Sequence, residues 1–403
     1  MIRPALCGLM LAILASGAAF AKSAAPDRTL RMVLIYRHGV RAPLADENGL
    51  AAWERAPMPV WDTPESLLTP HGARALTLLA RYQRQDWQAA GLLPRNRCPT
   101  ARDVQIWTNT VPRTIASGQA LARGLAPHCA LPVGHLAAGQ HDAMFEQAEI
   151  GKDPFDAPRA ANHVIAYTGG MAMLTRRLHA PLMAMAHIVG RKLPDGPGTI
   201  APSADGRGLT VSGPVIDASG TAQILLLQYM EGLPMAQVGW GRADAAAIAG
   251  ISPLHAALFD LLDRSPYLAP RNAGVLARRM LDALFAPDQP RLTLLVGHDN
   301  NIAALASLLG TRFRVPGLGW NDPPPGGALG LALVRRADGH RFVRAFYIAA
   351  TPRQVRRLTV LDADHRPAEL SLPMGLCGAA ARACPAAMVQ RRLPALLSRT
   401  LAP

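Results

Sequence analysis

Lysine is nearly absent: the 403 residues hold three, Lys22, Lys152 and Lys192. The 42 basic residues outnumber the 28 acidic ones for a net charge of +14, so the positive charge is almost all arginine. Aromatic side chains make up only 5% and charged ones 17%, while half of the chain is hydrophobic. That balance excludes a disordered tail protein and a coiled coil, and the 35 glycines and 35 prolines are scattered without the period of a collagen. No stretch after the N-terminus reaches 18 uninterrupted apolar residues, so no later membrane span is expected. No C-x-x-C pair signals a zinc site, and there is no internal repeat or low-complexity tract. A long basic run is missing as well, and no nucleic-acid-binding signature accompanies the charge.

What is present begins with export. Arg3 precedes an apolar run, Ala5 to Ala15, and Ala19-Phe20-Ala21 offers the small residues of a cleavage site. Residues 1–21 are therefore expected to be a signal peptide, leaving a periplasmic or secreted protein with no stable membrane association. Cleavage removes Cys7 and leaves four cysteines, an even number in an exported chain, which reads as disulfides. Of three pairings the most local is Cys98–Cys129 with Cys377–Cys384. Arginine-rich charge suits an anionic partner, since the guanidinium fork holds phosphate oxygens in pairs.

The length suits two domains or one large domain with an insertion. Leu30 to Tyr36 reads as a buried parallel strand, as do Val104 to Trp107 and Arg291 to Val296. Each is followed by a helical pattern. The first helix is signalled by Thr69 as N-cap with Pro70 behind it, and the others run over Ile115–Leu125 and Ile302–Leu309. The expected fold is α/β, a central mostly parallel sheet with helices on both faces. Between about 146 and 250 the alternation weakens. Met171 to Val189 is helical, Asp195 to Gly213 reads as a loop, and Ile224 to Met230 fits either helix or strand. This stretch is read as a smaller, mainly helical inserted domain, with residues 22–145 and 251–403 as the α/β core.

Three segments directly follow a strand, the second and third leading into a helix, and open α/β sheets bind ligands beyond such strand ends. The first is Arg37-His38-Gly39-Val40-Arg41-Ala42-Pro43. Flanking arginines oppose protonation of His38, keeping an imidazole lone pair available, and Gly39 permits a close backbone approach or positive φ. The second is Gly297-His298-Asp299-Asn300-Asn301, in which Asp299 caps a helix and would ordinarily stay ionised. The third is Trp107 to Thr114, where Arg113 can complete an arginine cluster around one anion. His141-Asp142 repeats the second dipeptide but follows a Gly/Ala-rich loop, and is read as a decoy.

These segments, in this order and spacing, resemble the histidine acid phosphatases, a branch of the histidine phosphatase superfamily. Within that family the bacterial glucose-1-phosphatases look nearest, on Arg41 to Ala45, Trp61 to Pro64, Gln228 to Pro234, Val238 to Gly241 and Val296 to Asp299, with bacterial phytases next. The resemblance implies a phosphomonoesterase in which His38 is the nucleophile and becomes phosphohistidine. Arg37, Arg41, Arg113 and His298 would bind the phosphoryl group, and Asp299 would protonate the leaving oxygen. It implies no cofactor and no metal, a small phosphomonoester as partner, and a helical domain roofing the site. Asn300, Gln223 and Leu44-Ala45 depart from the usual residues at positions tied to substrate. The competing readings are a phosphoglycerate-mutase-like enzyme and a periplasmic phosphosugar-binding protein, the second of which leaves His38 and Asp299 without a purpose.

Overall fold

A computed structural model describes residues 27–44, 47, 57–146 and 155–401, so the expected signal peptide lies outside the described residues. The chain opens with β1 (Arg28–Arg37), α1 (Pro70–Ala89), β2 (Val104–Thr108), α2 (Pro112–Leu125) and β3 (Val133–Gly134). Helices follow: α3 (Ala157–Thr168), α4 (Gly170–Arg177) and α5 (His179–Val189), the short strands β4 (Ile200–Pro202) and β5 (Leu209–Val211), then α6 (Pro214–Glu231), α7 (Ala245–Leu262) and α8 (Leu268–Phe285). The last part comprises β6 (Leu292–Gly297), α9 (Asp299–Leu309), β7 (Ala328–Arg335), β8 (Arg341–Ala349), α10 (Pro352–Arg356), β9 (Ala368–Leu372), β10 (Cys384–Pro385) and α11 (Ala386–Leu401).

Eight of these strands form one mixed sheet in the order β10-β8-β7-β1-β6-β2-β3, with β9 also paired to β8. In β1, Val33, Leu34, Ile35 and Tyr36 are all without exposed surface. Successive strand residues point to opposite faces, so both faces of the sheet must be covered there. The central strands β1, β6, β2 and β3 are parallel to one another, as the sequence pattern requires. Beyond β1 the sheet turns antiparallel through β7, β8 and β9, which the sequence reading did not anticipate.

Local sequence explains most of the elements. Thr69 Oγ1 accepts the Gly72 N–H at 2.8 Å, and Pro70 occupies the first turn of α1 where its missing N–H costs nothing. Between β3 and β6 the described chain is helical apart from the β4–β5 hairpin. That hairpin lies inside the stretch expected to be loop, and its strands pair antiparallel from Ile200↔Val211 to Pro202↔Leu209. The helix expected over Met171–Val189 is broken into α4 and α5 at Leu178. Pro181 is the reason, since it has no N–H to offer the carbonyl four residues earlier. The ambiguous Ile224–Met230 is helical and lies within α6, whose inner residues are buried on every side. Disulfides join Cys98 to Cys129 and Cys377 to Cys384.

Candidate active site

Strand register brings the three segments together. Arg37 of β1 pairs with Gly297 of β6, and Thr108 of β2 pairs with Val296. The next residue on each strand is then His38, His298 or Asn109, so all three leave the sheet at the same edge. The His38 N–H donates to Gly297 O at 3.0 Å and the Asn109 N–H to Val296 O at 2.9 Å. The two imidazoles meet edge to face, with centroids 5.6 Å apart. Gly39 has no positive φ; a Cβ there would lie 2.8 Å from Leu76 Cδ1 and 2.9 Å from Leu68 Cδ1. It packs tightly against Leu68 and Leu76, which accounts for a residue without a side chain here, and the alternative of a positive φ is not realised.

His38 is buried, and its Nδ1 lies 2.8 Å from Gly39 O. A carbonyl oxygen only accepts, so Nδ1 carries the hydrogen and Nε2 keeps its lone pair. Burial first, and then Arg113, Arg37, Arg41 and His298, hold this imidazole well below the ordinary histidine range. His298 is pushed down to about 3, again by burial and then Arg113. Its Nε2 lies 3.3 Å from Asn109 Oδ1. Both rings are neutral in a strongly cationic setting.

Each arginine is held by the fold. Arg37 has no exposed surface; Nη1 donates to Pro323 O at 2.6 Å, and Nη2 forms an ion pair with Asp299 Oδ2 at 2.8 Å. Arg41 presents its fork to Glu47, with Nη1 2.8 Å from Oε2 and Nη2 paired to Oε1. Arg113 donates to Ser66 Oγ at 2.9 Å and is lowered to about 10, chiefly by burial and then by Arg41. Ser117 ties the loop to α2, accepting the Gly39 N–H at 3.0 Å and donating to Arg113 O at 2.7 Å. The sequence-expected residues His38, Arg37, Arg41, Arg113, His298 and Asp299 thus share one site.

Asp299 opens α9, and its Oδ1 accepts the Asn300 N–H at 3.0 Å. Burial alone would raise its carboxyl, but Arg37, His255, His298 and Arg41 together hold it below the usual carboxylate range. His255 of α7 lies 3.7 Å away, and its other nitrogen meets Asp322 Oδ1 at 2.7 Å. Neither His255 nor Asp322 carries a sequence signal, because one sits in an apolar helix and the other before Pro323. The decoy reading of His141-Asp142 fits its contacts: Asp142 accepts from Trp107 Nε1 at 3.1 Å and from the Met144 N–H at 3.0 Å. The turn it stabilises carries Glu146, which accepts from Asn109 Nδ2 at 2.8 Å, and Phe145 O, which accepts from Asn301 Nδ2 at 2.7 Å. Among the described residues no group of three His, Cys, Asp or Glu side chains is placed to share a metal ion.

Residues 30–181, which include the first motif and Arg113, match the model of the histidine phosphatase superfamily, branch 2. Over that stretch the chain is similar to the histidine phosphatase superfamily. Its curated relatives include phytase AppA from Escherichia coli (strain K12), 29% identical over 390 residues, with 89% of each chain covered. The glucose-1-phosphatase of Salmonella typhimurium (strain LT2) is 27% identical over 392 residues, covering 91% of this chain and 94% of that one. Among solved structures, the Klebsiella sp. ASR1 phytase superposes with a TM-score of 0.84 at 27% identity, covering 94% of this chain and 98% of that one. The likeness is to phosphatases and the protein is an enzyme of that kind; both phytase and glucose-1-phosphatase relatives span nearly its whole length.

Proposed function

We propose that this protein is an exported acid phosphomonoesterase that hydrolyses sugar or inositol phosphates through a phosphohistidine at His38. The observation that carries the reading is the state of His38: neutral, its Nε2 lone pair free, with three arginines around it. In this reading the phosphoryl oxygens lie among Arg37, Arg41, Arg113 and His298, whose charge and N–H groups offset the charge of the transition state. The Nε2 lone pair forms the N–P bond as the ester P–O bond breaks, and Asp299 gives a proton to the departing oxygen. Water then attacks phosphorus, the N–P bond breaks, and the Asp299 carboxylate takes up the water proton. An imidazole this resistant to protonation stays nucleophilic in acid, whereas Asp299 gains its proton only there. An acidic optimum follows.

The helical region 146–250 is proposed to roof the site. Support comes from α6, where Gly220 lies against the backbone of Glu47 and Glu231 accepts from Thr69 Oγ1 at 2.6 Å. Gln223, on the same helix, is a neutral buried amide, so a substrate beside it meets no carboxylate there. Phytase and glucose-1-phosphatase relatives support the two substrate classes alike. Phosphate release from glucose 1-phosphate, phytate and p-nitrophenyl phosphate between pH 3 and 8 tests the reading. Turnover of at least one sugar or inositol ester, abolished in His38→Ala, is expected. Tight binding of these esters without phosphate release would support the binding-protein reading instead.

A further inference from the structure

Behind Asp299 stands a buried polar chain that the reaction as written does not use. Asp322, from the segment between α9 and β7, is fixed by Ser252, whose hydroxyl donates to Oδ2 and accepts the Gly319 N–H at 2.9 Å. Its Oδ1 lies 2.7 Å from His255 Nδ1, so that nitrogen carries a hydrogen. The Phe259 ring meets the imidazole edge-on at 4.9 Å and keeps it in plane. His255 Nε2 then faces Asp299 Oδ2 at 3.7 Å, the same oxygen that Arg37 approaches from β1. A neutral Nε2 lone pair opposite a carboxylate oxygen is repulsive. One proton between them, on either partner, makes the contact attractive.

Resting on the reading of Asp299 as the acid, we propose that His255, oriented by Asp322, stores the proton with which Asp299 is loaded when substrate binds. In the free enzyme Arg37 favours the Asp299 carboxylate, and the proton resides on His255 between two carboxylates. The groups facing His255 are Asp322, Asp299 and the edge of Phe259; Asp263, at the end of α7, feels Asp299 as well. An arriving phosphate ester neutralises the arginines and sets negative charge beside Asp299. The 3.7 Å contact then shortens to a hydrogen bond, and the proton crosses from His255 Nε2 to the Asp299 carboxylate, and from the carboxyl to the leaving oxygen as the P–O bond breaks. In the second half-reaction water supplies one proton to Asp299, which returns it to His255. His255 is a positioning residue, acting only through Asp299.

Two measurements test this. In the whole enzyme with ¹⁵N-labelled histidine, His255 should be protonated on both nitrogens when the site is empty and lose the Nε2 proton on saturation with inorganic phosphate at the same pH. An unchanged His255 signal overturns the proposal, and this arm needs no variant to fold. Kinetically, His255→Gln should lose about 10-fold or more on an alkyl phosphate, with its pH optimum displaced to lower pH. p-Nitrophenyl phosphate, whose leaving group needs little protonation, should be far less affected, and Asp322→Asn should change both in the same direction. Equal losses on both substrates with an unmoved pH profile would reduce His255 to a packing role. Asp299→Asn separates the two readings. A loss confined to the alkyl ester, without the His255 effects, rejects only the proton store; equal loss on both esters rejects Asp299 as the acid.

Discussion

Glu47 holds the fork of Arg41, where the proposed function puts a phosphoryl group. Its carboxylate engages the Arg41 fork through both oxygens and also accepts the Leu44 N–H at 3.1 Å. A bidentate carboxylate is a fair mimic of two phosphoryl oxygens, so substrate must displace it to use Arg41. Glu47→Gln removes the charge while keeping the size. The variant should bind inorganic phosphate more tightly and lower KM by about 5-fold, the scale of a single ion pair, with kcat nearly unchanged. A raised KM would mean instead that Glu47 holds Arg41 in its productive pose.

At the scale of elements, the site is made by the ends of β1, β2 and β6, each delivering one short segment before the chain turns into a helix. This much was legible because after β2 and β6 the motif leads into a helix within a few residues, and Thr69-Pro70 announces the more distant helix after β1 by chemistry alone. The antiparallel half was not legible, because an apolar run such as Ala328 to Val334 reads the same beside either kind of partner. His255 and Asp322 escaped for a related reason. They stand 67 residues apart, and neither belongs to a local pattern that periodicity can detect.

The join between α6 and α1 gives a prediction about pH. Glu231, at the end of α6, accepts from the Thr69 hydroxyl that caps α1, and burial raises its carboxyl to about 7. Its folded value thus lies above its unfolded one. The proton it holds stabilises the fold fully below about pH 4.5, and that contribution disappears as pH rises through 7. Glu231→Gln keeps an acceptor for Thr69 and cannot ionise. The Tm of the variant minus that of the parent should be near zero at pH 4 and positive at pH 8. A difference that does not grow with pH would show that Glu231 remains ionised in the folded protein.

Over the whole molecule, the two disulfides are consistent with an exported protein. Cys98–Cys129 encloses β2 and α2, the elements that present Asn109 and Arg113 to the site. Replacing both cysteines by serine should cost about 3–4 kcal/mol in denaturant unfolding, the loop-closure scale for 31 residues. A loss below about 1 kcal/mol would mean that the surrounding core holds the loop without the bond.

The account turns on one covalent bond, between His38 Nε2 and phosphorus. Rapid quench with ³²P-labelled p-nitrophenyl phosphate, followed by peptide mapping, tests it directly. The expected product is an acid-labile, base-stable label on the peptide carrying His38, forming before free phosphate and absent in His38→Ala. A label on serine or cysteine, or steady phosphate release by His38→Ala at the parent rate, would contradict the account.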